Sequence, residues 1–251
     1  QVISPRMLID LRRLALAGIS RDAAEMRLGA YLTVAQILAS AEVAAVLPAL
    51  VEACRPFAGP PIRNRGTVGG NLVNASPAAD LVPPLLAYDA GIVLVSASAR
   101  RVLPLLEFFT GPGKTVMRPD EILTEVRLPL PPPRTAATFT KLGQRRSMAI
   151  SIVNLSTRLT LDAAGRVSAV RIVLGSVAPT AIRARAAEAL LKGRELSDDQ
   201  FAQAAKVASS EISPIDDVRS GKEYRRRVTE VLVRRALLAA ADELRGMGRH
   251  G

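Results

Sequence analysis

A short glycine-containing segment from Arg65 to Asn71, of sequence RGTVGGN, carries the clearest chemical signal in the chain. Its adjacent residues Gly69 and Gly70 lack a Cβ, so a ligand can approach their backbone and a positive φ is accessible to both. Successive N–H groups in such a loop form a concave nest that suits a diphosphate, and the hydroxyl of Thr67 adds a further donor. The pattern predicts a diphosphate-binding loop, although a plain tight turn would use the same residues.

Two familiar nucleotide-binding motifs do not account for this segment. No Lys-Ser/Thr pair follows the glycines, as a P-loop requires, and the G-x-G-x-x-G spacing of the Rossmann fold is absent. Asp80, thirteen positions after Thr67 in the run NASPAADL, is the next polar candidate, and Pro77 stiffens the chain before it. A carboxylate there can accept hydrogen bonds from ribose or ribityl hydroxyls, or it can cap a following helix.

Cysteine and histidine are scarce in this sequence, which limits the metal sites and catalytic triads it can form. Its only cysteine is Cys54 and its only histidine is His250, in the tail. One cysteine excludes an intrachain disulfide, a cysteine-based zinc site and an iron–sulfur cluster held by this chain alone. Cys54 stands in an apolar stretch, which favours a packed core thiol over a nucleophile. A redox function would therefore need an organic cofactor or a centre in another chain.

The composition is that of a globular protein with a strongly basic balance. Of 251 residues, 34 are Lys or Arg and 23 are Asp or Glu, for a net charge of +11, and aromatic residues make up 3%. So few aromatics disfavour nucleic-acid binding by base stacking, which leaves a solvated surface or an acidic partner to explain the charge. No apolar run reaches the ~18 residues that a membrane span needs. The first residue, Gln1, indicates that the sequence begins inside a longer protein.

The elements that must position these residues fall into two groups. In the first, a strand is predicted over 2–11, Thr33 with Gln36 three residues later predicts a capped helix start, and a second helix is predicted over 42–55. The stretch 57–90 is rich in Gly, Pro, Asn and Ser, so we expect mostly loop there. Further strands and turns are predicted at 91–97, 100–109, 111–115 and 125–130.

The pattern changes after the run PPPR at 131–134, which is expected to be a linker. Two long alternating strands are predicted within 139–180, joined by a hairpin turn from Asp162 to Gly165. Helices are predicted at 187–193, 198–212 and 223–244. We therefore expect an α+β chain, with a mixed sheet and helices in 1–134, a three-stranded sheet packed on helices in 135–245, and a tail at 246–251.

Five ordered blocks resemble one family over essentially the whole chain. The first, PFAGPPIRNRGTVGGNLVNASPAADLVPPLLAYDA, closely resembles the flavin-domain motif of the molybdopterin dehydrogenases, which include the medium subunits of carbon monoxide dehydrogenase and the middle domain of xanthine dehydrogenase. The others are EFFTGPGKTVMRPDEILTEVRLP, FTKLGQRRSMAISIVNLSTRLTL, GSVAPTAIRARAAEALLKGREL and ISPIDDVRSGKEYRRRVTEVLVRRAL. The resemblance implies an FAD-binding domain of the vanillyl-alcohol-oxidase-like (PCMH) type, followed by a small α+β C-terminal domain with a three-stranded sheet.

The resemblance also implies roles for single residues. Phe57 would lie against the flavin or adenine end of FAD, and Asp80 would bind cofactor hydroxyls. Leu123 would pack near the isoalloxazine, and Lys141 would reach the flavin from the C-terminal domain. Without the family, Leu123 would be plain core packing and Lys141 a solvated strand lysine. The FAD diphosphate would be bound by the TVGGN run, which comprises Thr67, Val68, Gly69, Gly70 and Asn71.

The implied activity is electron transfer within a larger cytoplasmic enzyme, a dimer of heterotrimers. A large subunit would oxidise the substrate at a molybdopterin centre, and 2Fe–2S clusters in a small subunit would pass the electrons to FAD. The family's domain begins with a lobe whose Ala-Gly-Gly-Thr/Ser loop completes the diphosphate site, and nothing in 1–30 matches that lobe. This difference keeps an alternative open, a cofactor-free docking subunit of the same fold. A nucleic-acid-binding protein is favoured by charge alone.

Overall fold

An antiparallel sheet of five strands organises the first half of the chain in the computed structural model, which describes residues 7–145 and 148–247. Its strands are β1 (Ile19–Arg21), β2 (Glu25–Gly29), β3 (Gly91–Val95), β4 (Arg100–Pro104) and β7 (Ile122–Pro129). Between β4 and β7, the strands β5 (Phe109–Gly111) and β6 (Lys114–Thr115) form a separate small hairpin. They pair in the order β1-β2-β7-β3-β4. The mixed sheet expected here is wrong. β2 and β3 are both antiparallel to β7, which lies between them, so all the neighbours in this sheet are antiparallel.

Six short helices pack with this sheet around one hydrophobic core in the described part of the first half. They are α1 (Val34–Ala39), α2 (Ala41–Val46), α3 (Pro48–Cys54), α4 (Pro60–Arg63), α5 (Val68–Val73) and α6 (Val82–Ala87). The predicted capped start is confirmed, since Gln36 N donates to Thr33 Oγ1 (3.2 Å) and Thr33 N donates to Gln36 Oε1 (2.9 Å). The single helix expected over 42–55 is wrong. Pro48 has no N–H, so α2 ends before it, and proline suits the first position of α3.

The stretch 57–90 is more ordered than its Gly and Pro content predicts. α4, α5 and α6 all lie within it, and every residue of α6 is buried. Proline is compatible with the first turn of a helix, where an N–H has no intrahelical partner, so these prolines mark helix starts as well as loops. The strand expected over 2–11 is wrong for the part described, because residues 7–10 form no regular structure and a 3-10 turn follows at Leu11–Arg13. Residues 1–6 lie outside the described ranges.

A second sheet forms the other half, from β8 (Thr135–Gly143), β9 (Ser151–Leu161), β10 (Val167–Gly175) and β11 (Ile182–Arg183), in the order β11-β10-β9-β8. It is completed by α7 (Arg185–Leu191), α8 (Asp198–Ser210) and α9 (Lys222–Met247), which reaches into the expected tail. The three long strands agree with the expected three-stranded sheet, and two-residue β11 adds an edge. No helix in 7–145 or 148–247 is both long and apolar enough to span a bilayer.

The second sheet packs against helices of both halves, so the halves share a buried interface. Every residue of β9 is buried, since α6 of the first half and α9 of the second both contact it. Asp89, just after α6, binds the guanidinium groups of Arg158 (2.6 Å) and Arg171 (2.7 Å). Glu52 on α3 accepts a hydrogen bond from Phe139 N on β8 (2.8 Å). These contacts fix the second sheet against α3 and α6.

Candidate cofactor site

The predicted TVGGN loop is the start of helix α5. Thr67 is its N-cap, and the Thr67 hydroxyl accepts a hydrogen bond from Gly70 N (3.0 Å). The N–H groups of Val68 and Gly69 donate to carbonyls of the turn between β2 and α1, at 3.0 and 2.8 Å. Neither glycine is among the described residues with positive φ. The prediction that these N–H groups form an open nest is therefore wrong, because the helix cap and the neighbouring turn already accept their hydrogen bonds.

The two adjacent glycines serve different structural needs. Gly69 is buried, and a Cβ added to it would lie 2.8 Å from both the Cβ and the carbonyl oxygen of Ala30. Gly70 is exposed, and a Cβ there would meet only the hydroxyl of Thr67, at 2.9 Å. Gly69 therefore allows α5 to approach the end of β2, whereas Gly70 leaves one side of the backbone open to a ligand.

An open cleft of about 420 Å³ lies beside these glycines. It brings together four of the predicted site residues from two elements: Thr67, Gly69 and Gly70 at the start of α5, and Leu123 on β7. Apolar side chains form most of the remaining wall: Ile9, Leu11, Leu16, Val73, Met117 and Ile122. A flat apolar ring system fits such a wall, while the polar groups of the α5 start can meet its polar substituents.

Asp80 and Lys141 form a buried ion pair between the two halves. Lys141 Nζ lies 2.6 Å from Asp80 Oδ2, and Asp80 Oδ1 accepts hydrogen bonds from Ser151 Oγ (2.7 Å) and Asn154 Nδ2 (3.0 Å). The alternative in which Asp80 caps α6 is wrong, because Leu81 is the N-cap and no side chain caps that helix. Sequence reasoning missed Ser151 and Asn154. Their strand mixes polar with apolar residues, which gives no sign that the polar ones are buried.

Lys141 also lines a second opening, of about 370 Å³, at the end of β8. Pro56 lines the same opening. Its neighbour Phe57 is half-buried and packs against Gly66, where an added Cβ would lie 3.6 Å from Phe57 Cε1. Of the predicted site residues, Thr67, Gly69, Gly70 and Leu123 line the first cleft, and Lys141 lines the second opening. Phe57, Val68, Asn71 and Asp80 line neither of them.

Two ionisable groups near the site, Glu121 and Cys54, have pKa values that their surroundings shift. Glu121 lines the first cleft and accepts hydrogen bonds from Arg101 Nε (2.7 Å) and Arg118 N (2.7 Å). These bonds, the Arg101 bond above all, lower the pKa of Glu121 to about 2, so it is ionised at neutral pH. Burial raises the pKa of Cys54 to about 12, against a smaller opposing effect of Arg63. Cys54 is therefore a core thiol and not a thiolate nucleophile.

The residues present fit a flavin nucleotide. The space that a Cβ would occupy at Gly70 is open to a ligand, and the first cleft is mostly apolar. Asn71 Oδ1 is buried and has no hydrogen-bond partner among the described residues, which marks a polar atom that a bound group could satisfy. In the same ranges, no group of three or more His, Cys, Asp and Glu residues is arranged to hold a metal ion.

Known proteins share both halves of this structure. Residues 1–131 match the family described as the FAD binding domain in molybdopterin dehydrogenase, and residues 138–240 match the CO dehydrogenase flavoprotein C-terminal domain. The chain is 34% identical to the 6-hydroxypseudooxynicotine dehydrogenase complex subunit alpha of Paenarthrobacter nicotinovorans, over 96% of this chain and 81% of that protein.

Solved structures show the same fold. Carbon monoxide dehydrogenase from Hydrogenophaga pseudoflava superposes with a TM-score of 0.87 at 32% identity, covering 90% of this chain and 78% of that chain. Quinoline 2-oxidoreductase from Pseudomonas putida 86 superposes with a TM-score of 0.85 at 27% identity, covering 91% and 79%. The implied architecture, a FAD-binding domain followed by a C-terminal domain, is confirmed. The chain belongs to the FAD-binding medium subunits of the molybdopterin dehydrogenase family.

Proposed function

We propose that this chain is the electron-transfer flavoprotein subunit of a molybdenum hydroxylase. The first cleft is the observation that carries the proposal, because Thr67, Gly70 and Leu123 meet there on one largely apolar wall. FAD bound there would supply the redox chemistry, namely electron transfer between the iron–sulfur clusters of a partner and an external acceptor. The side chains of this subunit bind, orient and shield that group.

The start of α5 is proposed to face the FAD diphosphate. Gly70 lets a phosphate oxygen approach the backbone without meeting a Cβ. Thr67 contributes its hydroxyl, and Asn71 contributes its side-chain amide. Val68 and Gly69 are both buried, so they support this surface from behind by packing on the core. The contact surface is therefore the exposed edge of a short helix and not an open loop.

The ring and hydroxyl contacts are proposed to come from the other four residues. Leu123 and Phe57 supply apolar surface for the ring systems. Lys141 has three N–H donors, one of which is directed to Asp80, and the others are available to a flavin carbonyl. The Asp80 carboxylate has about four acceptor positions and fills three of them within the protein, which leaves about one for a cofactor hydroxyl.

The proposed partners are a large molybdopterin-binding subunit and a small iron–sulfur subunit, in a cytoplasmic dimer of heterotrimers with no nucleic acid. The name of one relative, a complex subunit alpha, supports this proposal, and so does that of another, a carbon monoxide dehydrogenase medium chain. We propose 1–134 as the FAD-binding domain and 135–245 as the C-terminal domain, close to the matched residues 1–131 and 138–240.

Flavin content tests the proposed function. The chain purified with its partners should show the visible absorbance of oxidised flavin, at about one FAD per chain. Substrate added without oxygen should bleach this absorbance, and the external acceptor should restore it. A folded, assembled complex without flavin would contradict the proposal and favour the cofactor-free docking subunit.

A further inference from the structure

A buried polar cluster where the two halves meet contains two residues with no part in the proposed cofactor contacts. Ser151 and Asn154 are both 0% exposed, and both donate to Asp80 Oδ1, at 2.7 and 3.0 Å. The other oxygen of this carboxylate binds Lys141 Nζ at 2.6 Å. Three donors from β8 and β9 therefore hold one carboxylate of the first half.

The lack of a side chain at Gly175 leaves room for the Asn154 amide. Gly175 lies opposite Asn154 on β10, and a Cβ added there would come within 2.0 Å of Asn154 Oδ1. The Asn154 amide nitrogen also approaches Ala79 O (3.4 Å), the carbonyl just before Asp80. Burying polar groups is costly unless they are hydrogen-bonded; Asn154 Oδ1 has no partner among the described residues, so the amide nitrogen alone joins Asn154 to Asp80.

We propose that Ser151 and Asn154 are positioning residues for the flavin site, acting through Asp80 on Lys141. The inference rests on the proposed function, in which the Lys141 ammonium reaches the flavin. Its bond to Asp80 fixes one of its three N–H donors, and with it the directions of the other two. Two donors on Oδ1 oppose rotation of the carboxylate and so keep Lys141 in place.

The same two donors also adjust the charge that the site presents. The side chains of Lys141 and Asp80 are 8% and 9% exposed, so water and salt screen them little. Hydrogen bonds from Ser151 and Asn154 offset part of the negative charge of Asp80, which leaves more of the positive field of Lys141 directed at the cofactor. A positive field stabilises reduced flavin, which carries more negative charge. Loss of a donor should therefore lower the flavin midpoint potential.

Two buried serines on β9 provide a matched test in the full chain assembled with its partner subunits. Ser151→Ala removes a donor to Asp80. Ser156→Ala is the control, because Ser156 is also 0% exposed but donates to Thr138 O (2.7 Å). FAD affinity is measured by titrating FAD into flavin-depleted protein, and the midpoint potential by spectroelectrochemistry. We expect Ser151→Ala to raise the Kd for FAD about tenfold and to make the potential more negative. Ser156→Ala should leave both unchanged at a similar loss of Tm.

Lys141→Met separates failure of this inference from failure of the proposed function. If Lys141→Met lowers the potential and Ser151→Ala does not, the inference is overturned and the proposed function stands. If both serine variants change the Kd and the potential alike, Ser151 only stabilises the fold, and the inference is again overturned. If Lys141→Met changes neither quantity, the assignment of Lys141 to the flavin site is wrong and the inference falls with it.

Discussion

Gly69 and Gly70 are identical and adjacent in the sequence, yet their surroundings differ completely. The backbone of Ala30 crosses directly behind Gly69, whereas the space beside Gly70 is open apart from the capping hydroxyl of Thr67. Both glycines adopt the helical backbone of α5, so conformational freedom explains neither of them. The reason for each is the space that a missing Cβ leaves, for a strand in one case and for a ligand in the other.

Separate substitutions of the two glycines should therefore have opposite effects. Gly70→Val should weaken FAD binding by about one to two orders of magnitude, because its side chain would occupy the space beside Thr67 Oγ1 and cost a phosphate roughly one hydrogen bond with that hydroxyl. Gly69→Val should destabilise the fold by about 1–3 kcal/mol through overpacking, with flavin content per folded chain nearly unchanged. Flavin stoichiometry and Tm on the same samples decide this. If Gly69→Val lost flavin while Gly70→Val kept it and lost stability, the ligand would not approach at Gly70.

Two helices of the first half begin side by side, each capped by a threonine. Thr33 caps α1 and Thr67 caps α5, and the two residues pair as an isolated antiparallel β-bridge. Val34 N donates to Gly66 O (2.9 Å), which joins the start of α1 to the residue before the second cap. The position of α5 at the cleft is therefore fixed by the start of α1 as well as by the sheet.

Removing each cap tests which helix start meets the cofactor. Thr33→Ala and Thr67→Ala should each cost about 1 kcal/mol of stability, the usual effect of losing a threonine N-cap. Only Thr67 lines the cleft, so only Thr67→Ala should also raise the Kd for FAD, and Thr67→Ser should restore it. Urea denaturation and flavin titration measure the two effects. Equal changes in FAD affinity from both alanine variants would contradict the proposed site.

Local signals predicted some elements well and others poorly. The capping box at Thr33 and the long helix α9 are specified by neighbouring residues, so the sequence alone indicates them. α6 was missed because its prolines resemble loop signals, while its stability comes from burial against the second half. The partners of Asp80 were missed for a related reason. They lie about seventy positions away on β9, and only the packing of the two halves brings them together.

Arginine side chains hold several carboxylates ionised across the whole molecule. Hydrogen bonds from Arg101 lower the pKa of Glu121 to about 2, and bonds from Arg219 lower the pKa of Asp217 well below its usual range. Burial alone would raise the pKa of Asp89, but the arginines that bind it outweigh this effect and its pKa is lowered. The excess of basic residues is thus used in part to anchor carboxylates within the fold.

These lowered pKa values predict a loss of stability on the acid side. A carboxylate whose folded pKa is depressed adds stability above its unfolded pKa, and this contribution disappears as pH falls through the folded value. For Glu121 the window runs from its usual value of 4.5 down to about 2. Urea midpoints should therefore fall steeply below about pH 4.5. Glu121→Gln should flatten that slope, and an unchanged slope would show that the ion pair with Arg101 does not contribute.

Helix α6 has a carboxylate just before it, Asp80, and another just after it, Asp89, and both bind side chains of the second half. The proline run at 131–133 separates the two halves in the sequence, but the two halves stabilise each other through the contacts of α6. Separating the segments there would leave the buried Asp80, the buried Arg158 and the apolar surface of α6 without their partners, and unpaired buried charges are strongly destabilising. We therefore expect the two segments to unfold together in one transition. Two chains produced by splitting the gene at this point should each fold poorly without the other.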